Sequence, residues 1–276
     1  MRTLGFIALL SIPLCGAVQK DIEYRSVDGK ALTLDVSVPE GKGPFPTVIL
    51  VHGGSWGRGD KRSYVTPLFE PLTKTGYVWF SIDYRQTPEF QFPAPTDDLI
   101  GAIEWVREHA DEYKADTSRL VLIGESAGGQ IVGYVGARYG EALGIAAVVD
   151  FYGPNDMVVQ GAKTKKDMEH PDSANKSPSL LTAYMGITEW NDEATEKLKT
   201  ASPITWVSRE MPAFLCIHGT ADTQVDYQQS VKFCAAAEKA GAKCSIQTIE
   251  GGSHGMGSWK TDWTPGLFGW LKKALE

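Results

Sequence analysis

Basic residues are the scarce class in this chain. Lys plus Arg number 27 against 34 Asp plus Glu, a formal net charge of −7 over 276 residues. Neutralising phosphates requires a basic face, so this balance excludes nucleic acid as the partner. No apolar run approaches the roughly 20 residues that span a bilayer, so no membrane span is expected. Histidines number five and cysteines four, and no Cys/His/Asp cluster falls at ligand spacing, so neither a metal nor an organic cofactor is implied. With 42% hydrophobic and 22% charged residues, 29 Gly and 15 Pro, the composition is neither collagen-like nor that of a disordered chain.

What is present begins with a short leader pattern. Met1-Arg2 precedes an apolar run from Leu4 to Leu14, and Cys15-Gly16-Ala17 supplies small residues before a cut after Ala17. Residues 1–17 therefore read as a signal peptide and 18–276 as one secreted or periplasmic domain; a buried first strand or helix is the competing reading of the leader. Three cysteines then remain. Cys216, in the apolar run Ala213-Phe214-Leu215-Cys216-Ile217, reads as a buried strand thiol. Cys234 and Cys244 flank a helix, a turn and the start of a strand, and two readings stay open: a disulfide, which an exported protein can form, or two unpaired core thiols.

Strand and helix patterns alternate almost from end to end. Ile22 to Ser26 and Ala31 to Val38 alternate apolar residues around Asp28-Gly29, a hairpin signal and an antiparallel opening to a sheet. Short apolar runs typical of buried parallel strands follow at Thr47 to Val51, Tyr77 to Ile82, Leu120 to Ile123, Ile145 to Phe151, Ala213 to Ile217 and Ser245 to Ile249. Helical patterns lie between or after them at Ser63 to Thr75, Thr96 to Tyr113, Ala127 to Tyr139, Gln224 to Ala240 and Pro265 to Leu275. The expected fold class is α/β: a mostly parallel central sheet with antiparallel N-terminal strands, helices on both faces, and its site at the carboxyl ends of the strands. One stretch, 155–202, is polar and far longer than an ordinary connection. It reads as a lid or cap insertion with short helices around Leu180 to Met185 and Glu193 to Leu198; the bland alternative is an unstructured surface loop.

Chemistry concentrates at three strand ends. Gly124-Glu125-Ser126-Ala127-Gly128-Gly129 follows the run ending at Ile123 and opens a helix. A strand turning sharply into a helix at Gly-x-Ser-x-Gly projects the serine hydroxyl outward, and needs small neighbours because the serine backbone is strained. The second strand end carries His52-Gly53-Gly54-Ser55-Trp56-Gly57. The Gly53 and Gly54 amides, with that of Ala127, are candidate oxyanion donors. His52 reads as a residue that braces the loop, and Trp56 either lines an acyl pocket or simply packs. The third centre pairs His218-Gly219-Thr220-Ala221-Asp222 with Gly252-Ser253-His254-Gly255. A serine hydroxyl needs an imidazole to take its proton, and the imidazole needs a carboxylate to fix its tautomer. The order Ser126, Asp222, His254 is the one that the α/β-hydrolase topology expects. Asp226 is a rival acid, but it falls where the next helix should begin and has a capping role there. His109 and His170 read as solvated.

Taken together, His-Gly-Gly-Ser-Trp, Asp83-Tyr84-Arg85, Gly-Glu-Ser-Ala-Gly-Gly, His-Gly-Thr-Ala-Asp and Gly-Gly-Ser-His-Gly resemble the α/β-hydrolase esterases related to hormone-sensitive lipase and to the bacterial feruloyl and acetylxylan esterases. The resemblance covers roughly residues 21 to 275. It implies Ser126 as nucleophile, His254 as general base, Asp222 as its orienting acid, and Gly53, Gly54 and Ala127 as oxyanion donors. It also implies structural roles for Asp83-Tyr84-Arg85 and for Asp97 or Asp98. Many relatives of hormone-sensitive lipase carry a helical cap before the first strand and a third glycine where this chain has Ser55; both departures point toward the exported polysaccharide-ester branch.

The expected activity is a secreted serine carboxylic-ester hydrolase acting on short-chain or aromatic acyl esters, among them acetyl and feruloyl groups on plant cell-wall sugars. Two rivals share the scaffold. A prolyl-oligopeptidase-like peptidase usually needs a propeller for which this chain has no room, and an inactive binding protein typically lacks the nucleophile or base.

Overall fold

The computed structural model describes residues 17–27, 29–169 and 179–276; the proposed leader up to Gly16, Asp28 of the hairpin turn and His170 lie outside them. Eight strands form one sheet: β1 (Gln19–Val27), β2 (Lys30–Ser37), β3 (Phe45–Val51), β4 (Val78–Ile82), β5 (Ala115–Glu125), β6 (Ala147–Phe151), β7 (Ala213–Gly219) and β8 (Cys244–Ile249), in the order β1-β2-β4-β3-β5-β6-β7-β8. β1 pairs with β2 and β2 with β4 antiparallel, and every later pairing is parallel. The central strands read as unbroken apolar runs because both of their faces are covered. Ile49, Leu122, Val148 and Phe214 belong to the core on one face, while Val48, Val121, Val149 and Leu215 belong to the other.

The helices supply those two covers. α2 (Ala94–Glu108), α3 (Ala127–Tyr139) and α7 (Gln228–Ala240) place Leu99, Ile131 and Phe233 in the first core. α1 (Phe69–Lys74) and α8 (Thr264–Ala274) place Leu72 and Leu271 in the second. α1 is shorter than the run from Ser63 predicts. Tyr64 has φ of +58° and Pro67 sits in a single 3-10 turn at Thr66–Leu68, so the α-helix begins only at Phe69. α2 stops at Glu108, and Lys114, with φ of +52°, turns the chain into β5. β5 is longer than the apolar run alone: Ala115 and Asp116 pair with Phe45 and Pro46 before a register shift.

The polar insertion folds. α4 (Met157–Glu169), α5 (Leu180–Met185) and α6 (Asp192–Thr200) lie within it. Side chains cap each at its start: Asp156 Oδ1 accepts from the Val158 and Val159 amides, Ser179 Oγ from Thr182 and Asn191 Oδ1 from Ala194. Tyr184, Leu198 and Ala201 join the first core, which anchors the insertion to α3. Cys234 and Cys244 form a disulfide between α7 and β8, with Cα atoms 5.1 Å apart. Cys216 is a free buried thiol, and its sulfur lies with those two within 4.8 Å, a proximity in space that sequence spacing does not reveal.

Candidate active site

The chain reverses direction along the sheet at β3. It passes from β3 to β4 on one side and then returns to β5 on the other, and a ligand crevice is expected where such a reversal occurs. The strands on either side end in the loops at 52–57 and 124–129. Ser126 sits at the turn from β5 into α3 with φ of +53°, and its amide donates to the Phe151 carbonyl at 2.9 Å. Ser55, Trp56 and Tyr152, the last directly after β6, also have positive φ, so four non-glycine residues share this strained region at one sheet edge. A Cβ at Gly128 would stand 2.1 Å from the Val51 carbonyl oxygen, so α3 can enter this close to β3 only with glycine there.

Ser126, His254 and Asp222 come together in a line. Ser126 Oγ lies 2.8 Å from His254 Nε2, and His254 Nδ1 lies 2.7 Å from Asp222 Oδ2. The carboxylate fixes the tautomer: a proton on Nδ1 points at Asp222, which leaves the Nε2 lone pair to accept from the serine hydroxyl. Burial raises the Asp222 carboxyl, but hydrogen bonds from His218 and His254 outweigh it and hold the group well below the usual carboxylate range. Asp226, the rival acid, is instead at the head of α7, where Oδ1 accepts from the Gln228 amide at 2.9 Å.

The loop after β3 is built around buried polar groups. His52 is fully buried, stacks on Tyr84 at 4.4 Å, and has its Nδ1 2.7 Å from the Gly53 carbonyl. Burial lowers its pKa to about 4, so it braces the loop as a neutral ring. A Cβ at Gly53 would stand 1.8 Å from Glu125 Oε2, so this glycine lies against the Glu125 carboxyl. Burial pushes Glu125 up to about 7, against the opposing effects of the Tyr152 hydroxyl, the His254 charge and the Gly53 amide. The cavity beside Ser126 is lined from this loop by Ser55 and Trp56, and from the elbow by Ala127. The amides of Gly54, Ser55 and Ala127 make no hydrogen bond among the described residues.

Trp56 both lines the cavity and packs. Its ring stacks on Tyr184 of α5 at 4.7 Å, and its Nε1 donates to Gln130 Oε1 at 2.9 Å. Gln130, buried on α3, also accepts from the Tyr184 hydroxyl and donates to the Ala201 carbonyl, so one amide joins loop, elbow helix and insertion. Tyr152 lies edge-on to His254 at 4.7 Å and accepts from the Met256 amide. The sequence reading missed both residues. Tyr152 follows β6 directly and its place at a strand end was a usable signal, whereas nothing in the glycine-rich start of α3 marks Gln130.

Asp83, Tyr84, Arg85 and Asp98 are framework. Arg85 Nε lies 2.9 Å from buried Asp98, Lys61 Nζ 2.6 Å from Asp83, and the Tyr84 hydroxyl donates to the His52 carbonyl. His109 is half-buried and not freely solvated, because its ring stacks on Trp105 at 4.1 Å. A larger cavity of about 580 Å³, lined by Pro88, Gln91 and Trp190, contains none of the three aligned residues. No helix of the described residues is long and apolar enough to cross a membrane.

This sheet order, with a serine elbow after β5 and an acid and a histidine after β7 and β8, is that of the α/β-hydrolase fold. The chain belongs to the BD-FAE family, whose sequence model matches residues 34–236. It is 29% identical over 266 residues to the esterase LipC of Mycobacterium tuberculosis, an alignment covering 88% of this chain and 63% of that protein. Against the first three curated relatives it spans between 47% and 63% of their length. Among solved structures, a truncated carbohydrate esterase from gut microbiota superposes with a TM-score of 0.78 at 25% identity, covering 94% of this chain and 96% of that one. The apo form of Thermogutta terrifontis esterase 2 shares the fold at a TM-score of 0.71 and 22% identity, covering 95% and 94% respectively.

Proposed function

We propose that this chain is an exported serine esterase that cleaves carboxylic esters through an acyl-enzyme at Ser126. The observation that carries the reading is the line from Ser126 Oγ through His254 to Asp222, with contacts of 2.8 and 2.7 Å. Ser126 Oγ attacks the ester carbonyl as its proton passes to His254 Nε2, and Asp222 offsets the imidazolium charge. The amide of Ala127, with those of Gly54 and Ser55, receives the oxyanion; one such donor typically contributes about 10²–10³ in rate. His254 then gives its proton to the departing alcohol as the carbon–oxygen bond breaks. Water repeats the sequence on the acyl-enzyme, releasing the acid and restoring the serine.

The substrates are short-chain or aromatic acyl esters, with acetyl and feruloyl esters of plant polysaccharides as the natural class. The family and the likeness to a carbohydrate esterase support this choice. Export rests on the leader pattern at 1–17 and agrees with the Cys234–Cys244 disulfide, a bond that persists in oxidising compartments.

The test is hydrolysis of p-nitrophenyl acetate by the wild type and by Ser126→Ala, beside an aminoacyl p-nitroanilide. The expected result is ester cleavage by the wild type alone, with a loss on the order of 10⁴–10⁶ in kcat for the variant. Amide cleavage outrunning ester cleavage would move the chain to the peptidases.

A further inference from the structure

His218 stands near the end of β7, and the chemistry at Ser126 gives it no direct part. Its side chain is fully buried. Tyr152 and Tyr227 lie edge-on to the ring, with centroids at 6.3 and 5.7 Å. Nδ1 lies 2.8 Å from Ser230 Oγ on α7, so the ring is fixed at both nitrogens. Nε2 faces two oxygens, the Val225 carbonyl at 3.0 Å and Asp222 Oδ2 at 3.3 Å, and a single N–H serves both. Oδ2 is in turn claimed twice, because His254 Nδ1 lies 2.7 Å from it. A Cβ at Gly219 would stand 2.1 Å from the Gly252 carbonyl oxygen, so glycine there lets β7 close on the loop that carries His254.

We propose that His218 is a positioning residue for the hydrolytic reaction, holding Asp222 Oδ2 in line with His254 Nδ1 and drawing off part of the carboxylate charge. The inference rests on the reading in "Proposed function" and deepens it, since it concerns the same site. A carboxylate bonded to one imidazole alone can rotate and present either oxygen. Here the Gln224 and Val225 amides take Oδ1 at 2.8 and 3.0 Å, and His218 takes a share of Oδ2. Charge matters as much as direction. Against burial, which raises the Asp222 carboxyl, the bonds from His218 and His254 hold it below the usual carboxylate range. Removing one donor concentrates the charge on the bond to His254, which favours the imidazolium. The reaction begins from the neutral ring, so the acid side of the pH profile should then move upward. The other titratable groups around the pair are Glu125 and Tyr152 beside His254 and Asp222, with Asp150 of β6 and Tyr227 at the head of α7 beside His218. Cys216 of β7 shares Ser230 with His218.

The test measures kcat and KM on p-nitrophenyl acetate across pH for wild type, His218→Phe and His218→Gln. Phe keeps a ring without an N–H, and the Gln amide can donate from nearly the place of Nε2. His218→Phe should lose about 10- to 100-fold in kcat with KM within a few-fold, the scale of a misplaced reacting group. The acid limb of its kcat/KM profile should rise by about one pH unit, and His218→Gln should recover most of both effects. Glu125, which burial pushes up to about 7, is present in all three proteins, so its ionisation cancels in the comparison. An acid limb that stays in place in folded His218→Phe would overturn the proposal whatever happens to kcat, because loosened packing lowers activity without moving it. Should neither variant fold, nuclear magnetic resonance of isotope-labelled histidines in wild type decides. Replacing the Ser126 hydroxyl proton by a phosphonyl group changes what His254 Nε2 faces, and through the oxygen that both rings share should shift the His218 Nε2–H resonance. A resonance that stays in place would overturn the proposal. Failure of wild type to cleave any ester or to take up the phosphonyl group would instead overturn the serine-esterase reading itself.

Discussion

Oδ2 of Asp222 lies 2.7 Å from Nδ1 of His254, and the same oxygen lies 3.3 Å from Nε2 of His218. The second imidazole is fully buried, and its Nε2 also lies 3.0 Å from the Val225 carbonyl, an acceptor only, so that nitrogen carries a proton. The other oxygen, Oδ1, accepts from the Gln224 and Val225 amides. Asp222 is thus held from behind, and its remaining direction is toward the His254 imidazole.

Replacing that carboxylate tests its role apart from the fold. Asp222→Asn should lower kcat on p-nitrophenyl acetate by about 10⁴, because the amide no longer fixes the tautomer with a free Nε2. KM should stay within a few-fold, and near-ultraviolet circular dichroism should be unchanged. A loss under tenfold would show that another acid does the work, with Asp226 the first to examine.

Glu125 yields a prediction about stability and pH. Its folded-state pKa of about 7 lies above its ordinary 4.5, so the fold favours the protonated carboxyl. The associated stability is fully present below pH 4.5 and is lost as pH rises through about 7. At roughly 1.4 kcal/mol per unit, the loss is on the order of 3 kcal/mol. Glu125→Gln removes the ionisation, so its stability relative to wild type should be greater at pH 8 than at pH 4.5 in urea melts. A gap between the two proteins that stays constant with pH would refute the assignment.

The disulfide closes a loop with a sequence separation of 10, for which chain entropy gives about 2.7 kcal/mol. The double variant Cys234→Ser, Cys244→Ser should lose a comparable amount in denaturant melts. Adding a reductant should destabilise wild type and leave the double variant unaffected; equal sensitivity of both proteins would contradict the bridge.

Much of the fold was legible because the central strands are buried on both faces. Val48 to Val51 and Val121 to Ile123 have no polar interruption, and the chemistry-bearing motifs stand directly after such runs. Strand order was less accessible, since the placement of β3 between β4 and β5 depends on pairings distant in sequence. α4 escaped notice because only Met157 and Gly161 of its thirteen residues are buried, too few to mark an apolar face. Gly53, an expected oxyanion donor, lies against the Glu125 carboxyl, whereas the amide of Ser55, which no glycine pattern marks, makes no hydrogen bond among the described residues.

The central claim is that Ser126 is a nucleophile activated by His254. The most direct measurement is peptide mapping by mass spectrometry after treating the intact protein with a fluorophosphonate. The account predicts one adduct, on Ser126, absent in Ser126→Ala and formed far more slowly in His254→Ala. A folded wild type that takes up no label, or labelling that persists unchanged in Ser126→Ala, would contradict it.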